Sequence, residues 1–443
     1  MRHHAIERGS FAALLATVLL AIVLPAVLLL SACSSPSRKP SIVLVLIDQL
    51  RKDAADRWCS SLNALAARGV VFANMRSVAP WTYPAVVSLF SGLYPQQHGA
   101  DGHLSDDTLT TFDTAVPLLQ RILRDSGYRT AAFVTNPFLH TWNPFHEGFE
   151  LYDVDFINFQ GNRRLVRPMF PTDGMFADTV NRAIVTHFDG RPLAAPEFTY
   201  VHYIDVHGPW SRAPFHSTYE DATHYVDRHV ADLYAYFLRR YAGEVMFLVT
   251  SDHGRALDDD EQVGDGPAWR KMKRSVHDFN LRIPFMILPS NLVTEPRVIQ
   301  TPSSLVDVLP TLLEWLGLPQ PYPMPGRSFV PAIRGDETAA AAVPVYAKVS
   351  AFGGWSDCVV FRNRKYMRFF DVRTGTVIGT RVFDLDRDPR ETMPLADGRD
   401  DELARHMEEM AGTHGLRYAA RFDDLAPDLE KKLRALGYLH HPR

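Results

Sequence analysis

Three stretches of this chain set a carboxylate, an imidazole or a hydroxyl where an apolar run ends or a helix is expected to begin. Asp48 and Gln49 follow Ser41–Ile47 (SIVLVLI), and Asp252-His253-Gly254 follows Glu244–Thr250 (EVMFLVT). Thr82 stands just ahead of Pro84 in APWTYPAVVSLFSG. Hard carboxylate oxygens beside an imidazole suit a divalent ion such as Ca²⁺, Mn²⁺, Mg²⁺ or Zn²⁺. A hydroxyl attacks only when its oxygen can carry negative charge, which a bound cation or the positive end of a helix stabilises. The same helix end offers backbone N–H groups to phosphate or sulfate oxygens. Together these parts predict a metal-dependent site that attacks an anionic ester. Taken one at a time they read more plainly, Asp48 as a turn aspartate and Thr82 as a helix cap.

More polar groups gather around the same strand ends. His202, Asp205 and His207 lie at the end of Glu197–Ile204 (EFTYVHYI). His207-Gly208-Pro209-Trp210 puts an imidazole on a rigid turn, suited to bind a transferred oxyanion or to protonate a leaving oxygen. Lys271, Lys273 and Arg274 precede VHDFNLRIP. Such a run is ordinarily a solvated loop, yet from there Lys273 first, and His277 second, can return to an anion held near Asp252. The acidic run Asp258–Glu261 reads as solvated loop rather than as ligands.

The elements that must position these groups alternate along the chain. Short β-branched apolar runs read as buried parallel strands, and ligands in open α/β sheets sit beyond the carboxyl ends of such strands. Strands are expected at Ser41–Ile47, from Val70, at Arg129–Val134, Glu197–Ile204, Glu244–Thr250 and Arg282–Leu288. Helices are expected at Ser61–Arg68, Thr114–Ser126, Phe176–His187, Tyr219–Tyr241 and Ser304–Leu316. This rhythm predicts a mostly parallel sheet covered on both faces by helices. After about Gly335 the texture changes. Val345–Val349, Cys358–Phe361, Tyr366–Phe370 and Val382–Asp384 read as a small antiparallel sheet, followed by a helix at Leu403–Glu409.

Composition limits the partners. A net charge of −4 over 443 residues, without a basic stripe, gives no reason to expect nucleic acid. Arg2 and Arg8 precede an uncharged apolar stretch, Phe11–Leu30, which ends in Leu30-Ser31-Ala32-Cys33. That stretch is long enough to span a bilayer as an uncleaved anchor. Pro25 and the small residues before Cys33 favour instead a cleaved signal with lipid added to Cys33, and hence a membrane-anchored lipoprotein of a bacterial cell envelope. The organisation is then a signal at 1–33, a tether at 34–40, a catalytic domain at 41–335 and a C-terminal subdomain at 336–443. Cys59 and Cys358 can pair in an oxidising compartment, but burial as separate thiols is the plainer reading.

With these motifs in view, the chain resembles the sulfatase family of the alkaline-phosphatase superfamily. The resemblance runs through SIVLVLIDQLRKD, LNALAARGVVFANMRSVAPWTYPAVVSLFSGLYPQQHG, VHYIDVHGPW, LVTSDHG, FNLRIPFMILPS and VFDLDRDPRET. It implies an alkaline-phosphatase-like α/β domain with a small C-terminal α+β subdomain. It also implies one divalent metal held by Asp48, Gln49, Thr82, Asp252 and His253, with a second metal left open. Family sulfatases carry Cys or Ser in a C-x-P-S-R pattern and oxidise that residue to formylglycine. Here Thr82 takes that place and Val86 the place of the arginine, while Gln49 replaces the second acid. Thr cannot become formylglycine. A Thr nucleophile resembles that of related phosphoglycerol transferases and nucleotide phosphodiesterases, so a phosphoester is favoured over a sulfate ester. The expected catalytic set is Thr82, His207 and Lys273, with His202 and His277 beside His207 and Lys273 in substrate binding. The alternative is an inactive sulfatase-like surface lipoprotein that only binds an anionic ligand.

Overall fold

A computed structural model describes residues 39–100, 108–141, 143–154, 176–208, 218–257, 275–336, 343–351, 354–371, 373–396, 398–412 and 418–421. Residues 1–38 with Cys33, the segment holding Lys271, Lys273 and Arg274, the acidic run after Leu257, and residues 422–443 lie outside the described residues.

The main sheet has eight strands, numbered in chain order. They are β1 (Ser41–Ile47), β2 (Val70–Phe72), β3 (Arg129–Val134), β4 (Leu151–Asp153), β5 (Glu197–Tyr203), β6 (Val245–Thr250), β7 (Phe285–Ile287) and β8 (Arg297–Ile299). Their spatial order is β8-β2-β7-β6-β1-β5-β3-β4. All pairings are parallel except those of β7, which runs antiparallel to β2 and β6. The run Arg282–Leu288, expected as a strand, contributes only the short antiparallel strand Phe285–Ile287. Strands β1, β5 and β6 are buried from end to end, as continuous apolar runs in a doubly covered sheet should be.

The pleat divides the core in two. Ile42, Leu44 and Leu46 pack with Tyr200, Val134 and the helix Thr82–Ser91. Val43, Val45 and Ile47 face the opposite way, with Val201 and Tyr203, toward the helices Lys52–Trp58, Ser60–Ala66, Ala177–Phe188 and Tyr219–Arg240. Alternation along a strand sends His202 to the first face, away from Tyr203. Every residue of Thr82–Ser91 is buried, and Gly92 ends the helix in the left-handed region with φ 67°. The expected helices Thr114–Ser126 and Ser304–Leu316 are shorter, Leu119–Asp125 and Val308–Trp315, the second entered through a 3₁₀ turn at Leu305–Asp307.

The C-terminal sheet is antiparallel and meandering: β9 (Val345–Ala351), β10 (Gly354–Phe361), β11 (Arg364–Phe370) and β12 (Val377–Asp384), with the helix Asp401–Ala411 packed on it. It meets the residues around the main sheet near the site. Lys348 N donates to Val78 O at 2.9 Å, just before Thr82, and Lys365 reaches Asp278 at 2.8 Å. Cys59 and Cys358 are separate buried thiols. Among the described residues no helix is long and apolar enough to cross a membrane.

Candidate active site

The register of the parallel strands explains why distant residues meet. Leu46 on β1 pairs with His202 on β5 and with Thr250 on β6, and His202 pairs with Val134 on β3. One pleat repeat further along β1, β6 and β3 stand Asp48, Asp252 and Asn136. All three are fully buried. The carboxyl ends of three parallel strands thus deliver two acids and an amide to one row.

Thr82 arrives from the helix above that row. Trp81, extended at φ −163°, precedes the helix, and Thr82 is its first residue. Pro84 falls in the first turn, where a missing N–H breaks no helical bond. The Thr82 hydroxyl does not cap its own helix. Oγ1 donates to Asp48 Oδ2 at 3.4 Å and accepts from Asn136 Nδ2 at 3.2 Å, while the same Nδ2 donates to Asp48 Oδ2 at 2.5 Å.

Asp252 Oδ1 accepts the backbone N–H of Gln49 at 3.1 Å and of His253 at 2.8 Å. His253 Nδ1 lies 2.6 Å from the carbonyl of Gly254. A carbonyl only accepts, so Nδ1 carries a proton, and in the neutral imidazole that a metal requires Nε2 presents the lone pair. That Nε2 lies 3.5 Å from Asp252 Oδ2 and 3.9 Å from Asp48 Oδ1. Asp48 Oδ1, Asp252 Oδ2 and His253 Nε2 are all buried without a hydrogen-bond partner. Two buried carboxylates with outward lone pairs beside an imidazole lone pair form an acceptor-only cluster, which a divalent cation satisfies. Asp48, His202 and Asp252 can also each present a ligand atom within 4.8 Å of the others. The residues present therefore fit one metal ion.

Gly254 brings this turn close to its neighbour. Its N–H donates to Asn280 O at 2.7 Å, and a Cβ there would stand 2.2 Å from Phe279 O, so no larger residue fits.

The electrostatics follow from burial and crowding. Burial pushes the Asp48 carboxyl up, but hydrogen bonding with His202 and the nearby His207 and His253 outweigh it and hold the group below the ordinary carboxylate range. Burial and then the Asp48 charge push Asp252 up. Burial, offset in part by Asp48, lowers His207 to about 4, so its imidazole is neutral near pH 7. His207 Nδ1 lies 2.7 Å from Gly208 O and so carries its proton. Asp205 is pushed up to about 7 by burial, although the backbone N–H of Ala177 on Oδ1 acts the other way, and Oδ2 has no hydrogen bond.

The other sequence candidates are placed as follows. His202 is fully buried, with Nε2 3.4 Å from Asp48 Oδ2 and Nδ1 2.8 Å from the Tyr200 hydroxyl. Gln49 takes φ 61°, a left-handed conformation that turns its N–H toward Asp252, and its Oε1 accepts from Arg255 Nη1 at 3.0 Å. His277 accompanies a different group of charges. It meets Ser275 Oγ at 2.7 Å, stacks on Phe279, and is lowered to about 3 by burial and then by Lys365 and Arg381. Lys273 is outside the described residues.

Sequence reasoning missed Asn136, Arg255 and Tyr200. Asn136 precedes a proline after a strand, which reads as a turn signal. Only its register with Asp48 would have marked it.

With that geometry established, comparison with known proteins is informative. Residues 40–318 match the family model described as Sulfatase. The chain is 22% identical over 432 residues to a Delta 4,5-hexuronate-2-O-sulfatase of Bacteroides thetaiotaomicron, covering 83% of this chain and 87% of that protein. A protein solved in complex with its substrate D-glucosamine-2-N,6-O-disulfate superposes with TM-score 0.64 at 13% identity, over 88% of this chain and 99% of the other. The phosphonate monoester hydrolase of Agrobacterium radiobacter superposes with TM-score 0.62 at 18% identity, over 85% and 96%. At such identities the superpositions speak for a shared fold.

Proposed function

Because this chain belongs to the sulfatase family, we propose that it is an ester hydrolase in which Thr82 Oγ1 attacks the phosphorus or sulfur of an anionic ester. The observation that carries this reading is the setting of Thr82. Its hydroxyl ignores the helix it begins and lies between Asp48 and Asn136, beside a buried cluster of acceptors with no donor of their own.

Asp48, Asp252 and His253 would hold the divalent ion, with Thr82 Oγ1 and His202 adjoining. When bound, that ion would supply Lewis-acid stabilisation to negative charge developing on oxygen. The first-turn N–H groups of Thr82–Ser91 suit the oxygens of the transferred group. In the first step the Oγ1–P or Oγ1–S bond forms, the ester oxygen leaves with the bonding electron pair, and the proton lost by Thr82 is balanced by the one the leaving alcohol gains. In the second, water displaces Oγ1, which restores the hydroxyl and releases phosphate or sulfate. His207, neutral with Nδ1 committed to Gly208, is suited to accept a hydrogen bond from the attacking water rather than to act as a cation. Arg255, tied to Gln49, supplies positive charge beside His207.

A phosphoester is favoured because Thr82 cannot become the formylglycine on which the usual sulfate chemistry depends. The relatives named above include a sulfatase, a protein solved with a disulfated sugar substrate and a phosphonate monoester hydrolase, so a screen should span aryl sulfate, aryl phosphate monoester, phosphodiester and phosphonate. Thr82→Ala is expected to reduce turnover by at least roughly 10³-fold while leaving the melting temperature and metal uptake intact. Parental turnover by Thr82→Ala would remove Thr82 as nucleophile. The Leu30–Cys33 motif supports placing this chemistry at the membrane surface of a cell envelope, which the mass of the mature N-terminal peptide would test.

A further inference from the structure

Among the described residues the Thr82 oxygen is hydrogen-bonded to Asp48 and Asn136, and the second of these is not an acid. We propose that Asn136 is a catalytic residue whose amide stabilises Thr82 Oγ1 while that atom carries negative charge. The inference rests on Thr82 being the nucleophile.

The orientation of the amide is fixed by chemistry. Asn136 precedes the 3₁₀ turn Pro137–Leu139, and its Oδ1 accepts the Phe138 N–H at 2.8 Å. Only the oxygen of an amide can meet an N–H, so Nδ2 must be the atom that faces Asp48 and Thr82. Pro137 restricts Asn136 to extended backbone, which it adopts at φ −88° and ψ 125°. The two Nδ2 hydrogens then have two acceptors, Asp48 Oδ2 at 2.5 Å and Thr82 Oγ1 at 3.2 Å. Asn136 and Thr82 are both fully buried.

Thr82 has a single hydroxyl hydrogen, directed at Asp48 Oδ2. Its lone pairs receive the Asn136 donor. A donor on an ionisable oxygen favours the charged form, and in a water-excluded site it does so strongly. Asn136 thus acts twice on one atom: when Oγ1 loses its proton and bonds to phosphorus or sulfur, and when that bond breaks and Oγ1 departs before regaining a proton. The amide itself neither gains nor loses a proton in either step. A purely structural account, in which Asn136 caps its turn and props Asp48, predicts no change in the ionisation that governs turnover.

The test uses the metal-loaded full chain and whichever aryl ester the parent hydrolyses. Asn136→Ser keeps a side-chain oxygen able to cap Phe138 N–H but removes the donor to Thr82. kcat is expected to fall about 10²-fold with little change in KM, and the limb on which kcat rises with pH is expected to move to higher pH. A kcat close to parental, or a reduced kcat with that limb unmoved, would overturn the inference. If Asn136→Ser fails to fold, Asn136→Asp keeps both shape and cap while replacing the donor with an acceptor, and the same two readouts apply. Thr82→Ala run alongside separates the two possible failures. An active Thr82→Ala removes the nucleophile reading and this inference with it. An inactive Thr82→Ala beside an Asn136→Ser of parental rate and limb removes this inference alone.

Discussion

At the scale of single residues, the site is an electrostatic problem that the fold leaves open for a cation to solve. Asp48 and Asp252 are fully buried, each has an oxygen without a hydrogen bond, and the Asp48 charge is one reason Asp252 is pushed up. Buried like charges repel strongly unless something positive sits between them. Metal removal with a chelator is therefore expected to lower the melting temperature, and a divalent ion to restore it. Saturation at a hundredfold excess over the dissociation constant is worth about 2.7 kcal/mol. Asp252→Asn should raise the metal-free stability and abolish most of the metal response. The variant loses one of the repelling charges, so it is expected to be more stable than the parent without metal and to gain little when metal is added. Thermal melts of both proteins with and without Mn²⁺ or Ca²⁺ read this directly. A parental response to metal in Asp252→Asn would mean that this carboxylate holds no ion.

At the scale of elements, what could be read from sequence divides along a physical line. β1, β5 and β6 were legible because a strand covered on both faces must be apolar throughout, and the acids behind them were legible because a carboxylate after such a run is unusual. Thr82 could be located too, although its helix proves to be buried on every side. The partners were not legible. Gln49 finds Arg255 at 3.0 Å and Asn136 finds Asp48 at 2.5 Å, pairings far apart along the chain that follow from strand order alone. Even strand direction escaped at β7, whose short apolar sequence is the same in either sense. The loop after β5 allows a test of burial at this scale. Asp205 is buried and its pKa is raised from 3.8 to about 7, so the folded state holds a proton that the unfolded chain has released. The folded state therefore binds more protons, and stability falls as pH rises between 3.8 and about 7. The Asp205 contribution is fully present below that window and lost above it, with a span on the order of a few kcal/mol. Asp205→Asn, which cannot ionise, is expected to become steadily more stable relative to the parent across that range. Denaturant midpoints at several pH values give the difference, and a difference that stays constant would show that Asp205 does not titrate there.

At the scale of the whole molecule, the C-terminal sheet is linked to the turn at His253 through a chain of contacts that begins in a buried charge cluster. Lys365 on β11 is fully buried, 2.8 Å from Asp278 and 2.6 Å from Glu391, while Asp278 also pairs with Arg76 at 2.7 Å. The Asp278 N–H donates to Glu391 Oε2 at 2.5 Å. Arg76 and Lys365 balance Asp278 and Glu391, so the group can sit in the core. From Asp278 the path runs two residues to Asn280, whose carbonyl accepts the N–H of Gly254 at 2.7 Å, next to His253. Removing one member of such a group leaves an uncompensated buried charge, which costs about 3–5 kcal/mol. Lys365→Met fills much the same space without the charge and is expected to destabilise by that amount in urea unfolding. If the path positions His253, the loss should also appear locally, as weaker metal binding under conditions where the variant is fully folded. Calorimetric titration of Lys365→Met with Mn²⁺ at low temperature separates the two effects. Lower stability with parental metal affinity would make the cluster a simple fastener between the sheets, whereas a loss in both would make the C-terminal sheet a working part of the site.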